Sequence, residues 1–133
     1  MDTPHAPRSG EAESPFKGKT GLVRLINAFR YSLDGLSAAY RHEDAFRQET
    51  WLALVLIPAA FFMPASGLGK ALMIGSVLLV LVVELINSAI EAVVDRVSLD
   101  HHHLAKRAKD IGSAAVLIAL INVAAVWLLV LFG

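Results

Sequence analysis

At 133 residues, 56% hydrophobic and 18% charged, with a mean hydropathy of +0.58, the chain is too poor in charge to cover a water-soluble surface, since soluble domains carry about 25% charged residues. Its 12 basic and 12 acidic residues cancel and are interspersed, so nothing points to a nucleic-acid partner and none is expected. The absence of cysteine excludes disulfides and thiolate chemistry.

Residues 1–18 are rich in Pro, Gly, Ser and Glu and are expected to form a disordered tail, with residues 19–133 as one membrane domain. No charged and apolar regions precede a small-residue cleavage site, so no cleaved signal peptide is expected. From about 21 to 40, Leu22, Leu25, Ile26, Phe29, Leu33 and Leu36 recur at three- and four-residue spacings. This predicts an amphipathic helix, suited to a membrane interface or to packing on its own bundle.

His42-Glu43-Asp44 breaks that pattern, and Asp44 is placed to cap a helix starting at Ala45. A first span is expected over about 46–65, with Arg47, Gln48 and Glu49 as a polar foot and Pro58 as a source of a kink. Pro64 to Gly69 reads as a turn and 68–95 as a second span. Ser98 to Lys109 reads as a polar connection before a third span over about 110–132. Within the last, Ile111 to Phe132 has no charged residue. At 1.5 Å per residue it matches a hydrocarbon core about 30 Å thick. The fold class expected is an all-α integral membrane protein with three transmembrane helices and a preceding interfacial helix. The soluble alternative, a buried helical hairpin, needs a polar shell that so short a chain cannot supply.

Arg24, Arg30, Arg41 and Arg47 lie before the first span or at its foot, and Arg96, Lys106, Arg107 and Lys109 lie between the second and third. The first connection has only Lys70, and nothing basic follows the third span. The positive-inside rule puts the N-terminus and second connection in the cytoplasm and the C-terminus outside.

Glu84 interrupts the second apolar run at a depth where an ionisable side chain is costly unless it pairs or faces a cavity. Asn87, Ser88, Glu91 and Asp95 follow at offsets that place all five on one helix stripe. Carboxylates so spaced repel, which calls for a cation or a divalent metal. An all-oxygen donor set favours Mg²⁺ over zinc. With Arg24, Arg47, Lys106, Arg107 and Lys109 available for phosphates, the stripe suits phosphoryl transfer to a membrane-resident hydroxyl. The competing reading is a packed polar seam between helices. Neither GxxxxGK[ST] nor GxGxxG occurs, so a nucleotide site would be of another kind. His101-His102-His103 reads as a solvated loop, or as one contact to a phosphate.

Val83 to Val97 (VELINSAIEAVVDRV), with Arg107 to Val116 (RAKDIGSAAV), Ala45 to Glu49 and Gly21 to Tyr40, resembles the bacterial membrane diacylglycerol kinase family. The resemblance implies a homotrimer in the bacterial inner membrane, with active sites between chains and the C-terminus in the periplasm. It implies transfer of the γ-phosphoryl group of Mg-ATP to the sn-3 hydroxyl of diacylglycerol, giving phosphatidate. Glu84 is then the general base, Asn87 orients the reacting groups, and Glu43 and Glu91 hold the nucleotide's Mg²⁺. Arg24, Tyr31, Asp100, His101, His102, Lys109 and Asp110 fall at nucleotide-contacting positions, and Glu49 takes a supporting role at the lipid surface. Asn27 and Leu33-Asp34 depart from the basic residue and Trp-Lys pair of the well-known Gram-negative pattern.

Three further functions compete with this one. An undecaprenol kinase would share the architecture and chemistry. A structural membrane protein would use the stripe only for assembly. A channel would need a continuous polar path, which the apolar third span does not offer.

Overall fold

A computed structural model describes residues 20–97 and 102–133. Their secondary structure is helical: α1 Gly21–His42, α2 Asp44–Phe62, α3 Gly67–Val97 and α4 His103–Phe132. Two compact units meet in sequence at Ser37 and Ala38, with α2, α3 and α4 in the second. Within the first unit, Leu22, Leu25, Ile26, Phe29, Leu33 and Leu36 are all exposed.

In the second unit α3 is the central helix, packed against both α2 and α4. Its buried residues Met73, Ser76, Val77, Val80, Glu84, Asn87 and Ser88 follow a three-four repeat, the spacing of a helix seam. The facing seams are built from smaller groups. Ala53 and Ala60 of α2, and Gly112 and Ala119 of α4, are buried seven residues apart. Small residues let helix backbones approach closely, which is how helices associate where lipid removes the hydrophobic drive. A Cβ on Gly69 would meet Val130 Cγ1 at 2.9 Å, and one on Gly112 would overlap the Asn87 amide. The α3–α4 contact is thus tight at both of its ends.

The remaining surface is apolar. Leu117, Ile118, Ile121, Leu128 and Leu129 of α4, and Leu72, Leu78, Leu79, Val82 and Ile86 of α3, are exposed. Two helices, α3 and α4, are long and apolar enough to cross a membrane, with windows of mean hydropathy 2.3 and 2.8. The polar foot of Arg47, Gln48 and Glu49 shortens the apolar run of α2.

Several boundaries differ from the sequence expectation. The first span is expected to reach about 65, but α2 ends at Phe62 because Met63 precedes Pro64 and is extended (φ −75°, ψ 150°). Proline disfavours a helical conformation in the residue before it. Lys70 Nζ donates to Phe61 O at 2.7 Å and occupies a carbonyl at that end. Asp44 is not the cap: the helix starts at Asp44 and Glu43 holds the N-cap position with extended backbone (φ −117°, ψ 106°). The polar connection drawn to Lys109 ends by His102, because α4 begins at His103. There the His102 Nδ1 accepts from the Leu104 amide at 3.2 Å, a cap that three adjacent histidines did not signal. Pro58 lies within α2, which continues to Phe62.

Candidate active site

The stripe on α3 runs from the interior to the surface as its spacing predicts. Glu84 is 5% exposed, Asn87 7% and Ser88 9%, whereas Glu91 is half-buried and Asp95 exposed. The other side of the helix shows Ile86, Ile90 and Val93 to the outside. A graded burial of polar groups along one helix describes a site reached from one end.

Glu84 feels the charges of Glu91 and Glu43, and Glu49 feels that of Glu84. The fold therefore gathers four carboxylates where the foot of α2 faces the inner part of the α3 stripe. Glu43 is held there by the corner between α1 and α2. Arg47 donates from Nε to Tyr40 O at 3.1 Å and from Nη2 to Arg41 O at 3.0 Å, and pairs through Nη1 with Asp44 at 3.0 Å. Its guanidinium lies 5.5 Å from the centre of the Tyr40 ring. The Tyr40 hydroxyl accepts from Trp51 Nε1 at 3.1 Å. Arg47, expected as a cation for phosphates, is instead committed to two carbonyls and a carboxylate, and it fixes the corner.

Glu49 is the residue that composition alone undervalued. It borders a crevice of about 40 Å³ with Leu52, Ala53, Leu56, Val77, Val80 and two residues of α4. Its spacing held the signal. Phe46, Glu49, Ala53, Leu56 and Ala60 form a three-four repeat, so Glu49 sits on the seam of α2. Glu49 Oε2, Asn87 Oδ1 and Ser88 Oγ are buried without a hydrogen-bond partner among the described residues. Buried polar atoms are nearly always satisfied, so each of these three is a candidate for bonding to a group outside the chain.

From α4, Lys109 Nζ pairs with Asp95 Oδ1 at 2.6 Å. That hydrogen bond and the Asp95 charge, with Glu91 adding to them, hold the ammonium above its ordinary pKa against a lesser effect of burial. Lys109 precedes the apolar run that starts at Ile111, at the outer end of the stripe. Asp110 faces elsewhere and pairs with Lys106 at 2.6 Å. Gly112 is buried against Asn87, so glycine there is what lets α4 reach the stripe. His102 is the α4 cap and stacks on His103, with ring centroids 4.5 Å apart. Arg24 and Tyr31 are exposed on α1, seven residues apart on one face. Asp100 and His101 lie outside the described residues.

No group of three or more acid or histidine side chains converges as a metal cage among the described residues. Magnesium does not need one: it is commonly held by one or two carboxylates together with nucleotide phosphates. Two carboxylates around Glu84, both oxygen donors, fit that mode.

Residues 30–131 match the prokaryotic diacylglycerol kinase family. The chain is 57% identical over 120 residues to a diacylglycerol kinase of Pseudomonas aeruginosa, covering 90% of this chain and 98% of that protein. It is 53% identical over 113 residues to one from Haemophilus influenzae, covering 85% and 96%. It is 48% identical over 114 residues to one from Escherichia coli, covering 86% and 93%. A match across the interior stripe, both flanking helices and most of α1, at this identity, means that the chain belongs to the prokaryotic diacylglycerol kinase family.

Proposed function

We propose that this protein transfers the γ-phosphoryl group of ATP to the sn-3 hydroxyl of 1,2-diacylglycerol, releasing ADP and phosphatidate. The observation that carries the reading is Glu84, buried at 5% exposure among three other carboxylates, in a chain whose relatives are diacylglycerol kinases. A lipid hydroxyl stays near the interface while its acyl chains remain in hydrocarbon. The base that serves it must therefore lie within the helix bundle yet communicate with the cytoplasm, as the α3 stripe does.

Glu84 takes the hydroxyl proton as the lipid oxygen forms its bond to the γ-phosphorus and the bond from that phosphorus to the β-bridging oxygen breaks. General-base assistance of this kind contributes about 10²–10⁴-fold. Asn87, whose Oδ1 has no hydrogen-bond partner among the described residues, orients Glu84 or the hydroxyl. Glu43 and Glu91 would hold Mg²⁺, which when bound would neutralise phosphate charge. Lys109 supplies the cation at the phosphates, and exchanging Asp95 for a phosphate oxygen needs only a side-chain rotation. Arg24, Tyr31, Asp100, His101, His102 and Asp110 are proposed nucleotide contacts on resemblance alone.

We place α2, α3 and α4 across the inner membrane, with the N-terminus cytoplasmic and the C-terminus periplasmic, and α1 on the cytoplasmic interface. The exposed apolar face of α3 and the polar atoms that lack partners among the described residues support a homotrimer whose sites lie between chains. The test is transfer of labelled γ-phosphate from ATP by purified protein in mixed micelles, with diacylglycerol and undecaprenol offered separately and Mg²⁺ varied. Magnesium-dependent labelling of diacylglycerol is the expected result. Labelling of undecaprenol alone would overturn the substrate, and labelling of neither would overturn the reaction.

A further inference from the structure

On the side of α4 away from the α3 stripe, His103, Lys106, Arg107, Asp110, Ile111 and Ala114 surround an open groove of about 370 Å³. Their offsets of three, four, seven, eight and eleven place them on one face. Lys109, paired with Asp95 of α3, points well away from it. Within the groove Lys106 is engaged by Asp110 at 2.6 Å, whereas Arg107 has no ion pair among the described residues. The groove thus keeps an excess of positive charge.

The same face changes character along the helix. Ile111, Leu117, Ile118 and Ile121 are exposed, and no charge follows Asp110. Arg107 stands four residues before Ile111, about 6 Å along the axis, at the level where lipid phosphates meet the hydrocarbon. A basic groove above a continuous apolar strip matches one ligand in shape and charge: a phospholipid with an anionic headgroup and acyl chains. A free phosphate or nucleotide would use the charge but not the strip. A second copy of the chain would need an acidic patch facing Arg107.

We infer that the outer face of α4 binds an anionic membrane phospholipid, its headgroup phosphate held by Arg107 and its chains lying along Ile111, Ala114 and Ile118. The inference requires that α4 crosses the bilayer but does not depend on the kinase reaction.

The experiment reconstitutes the full chain in bilayers with spin-labelled phosphatidylglycerol or phosphatidylcholine and reads the motionally restricted fraction of each. Wild-type protein should prefer phosphatidylglycerol, and Arg107→Gln should reduce that preference about fivefold, the effect of one cation at an anionic surface. Arg96→Gln, which removes an exposed charge from α3 at the same end of the bundle, should reduce it much less. Retained circular dichroism and elution volume establish that each variant is folded. Arg107→Lys keeps the charge and gives a second reading should the glutamine variant unfold: it should preserve the preference. Equal association of the two lipids with wild-type protein would overturn the inference, as would equal effects of Arg96→Gln and Arg107→Gln. Abolition of the preference by excess inorganic phosphate at constant ionic strength would show a phosphate site and not a lipid site. Persistence of the preference in the folded Arg107→Gln protein would show that another surface, including one between copies of the chain, is responsible. Because no ATP is present, the outcome is separate from that of the transfer assay.

Discussion

Gly112 of α4 lies directly against the side-chain amide of Asn87 on α3, so close that a Cβ at residue 112 would overlap Asn87 Oδ1. This contact sets the distance between the helix that carries the acidic stripe and the helix that carries Lys109. Gly112→Ala should destabilise the protein by about 1–3 kcal/mol, the usual cost of overpacking, and should lower turnover by displacing Asn87. Thermal unfolding in detergent measures the first and the transfer assay the second. The double variant Gly112→Ala, Asn87→Ala should recover most of the stability and none of the activity. An unaltered melting temperature in Gly112→Ala would contradict the packing described.

Replacement of Glu84 by Gln keeps the side chain's shape, removes its charge and should leave helix content intact. Turnover should fall by about 10²-fold or more, as loss of a general base does. Folded Glu84→Gln protein with wild-type turnover would remove Glu84 from the proton transfer.

Glu43→Gln and Glu91→Gln separate a metal-holding role from an assembly seam. As magnesium holders, both variants should need more Mg²⁺ for half-maximal rate while the oligomer stays intact. Titration of rate against Mg²⁺, with sedimentation of the same samples, gives both readouts. Dissociation of the oligomer with an unchanged Mg²⁺ dependence would favour the seam.

The Lys109–Asp95 pair is partly exposed on both sides, with side chains 43% and 63% accessible. Surface ion pairs are worth about 0–1 kcal/mol. A double-mutant cycle on unfolding with Lys109→Gln and Asp95→Asn should therefore give a coupling in that range. The rate should respond differently, with Lys109→Gln costing far more activity than Asp95→Asn. Equal losses in rate would make the pair itself, and not the ammonium, the functional unit.

Arg47 ties Tyr40, Arg41 and Asp44 together at the start of α2. Arg47→Ala should destabilise by about 1–3 kcal/mol, since hydrogen bonds to charged groups are worth more than neutral ones. Arg47→Lys should rescue little, because an ammonium cannot reproduce the planar fork. Full rescue by lysine, seen in the same melting experiment, would mean that charge and not geometry holds the corner.

Residue spacing alone specifies the helices and the face that matters. The uncharged run from Ile111 to Phe132 and the three-four spacing from Glu84 to Asp95 are local properties, and a helix converts such spacing into a face without outside help. The motifs around Glu84 and Lys109 likewise carried the family. Pairing, both local and between helices, decides which polar groups are free and which are committed. Arg47 and Lys106 looked like open cations and proved to be paired, whereas Glu49 looked like part of a solvated foot and proved to face a buried crevice. The Arg47 and Lys106 pairs are local, to carboxylates three and four residues away, whereas the crevice at Glu49 is lined by residues of α3 and α4, and sequence spacing says nothing about how close α4 comes to α3. That distance is set by Gly112, whose missing side chain matters only because Asn87 occupies the space.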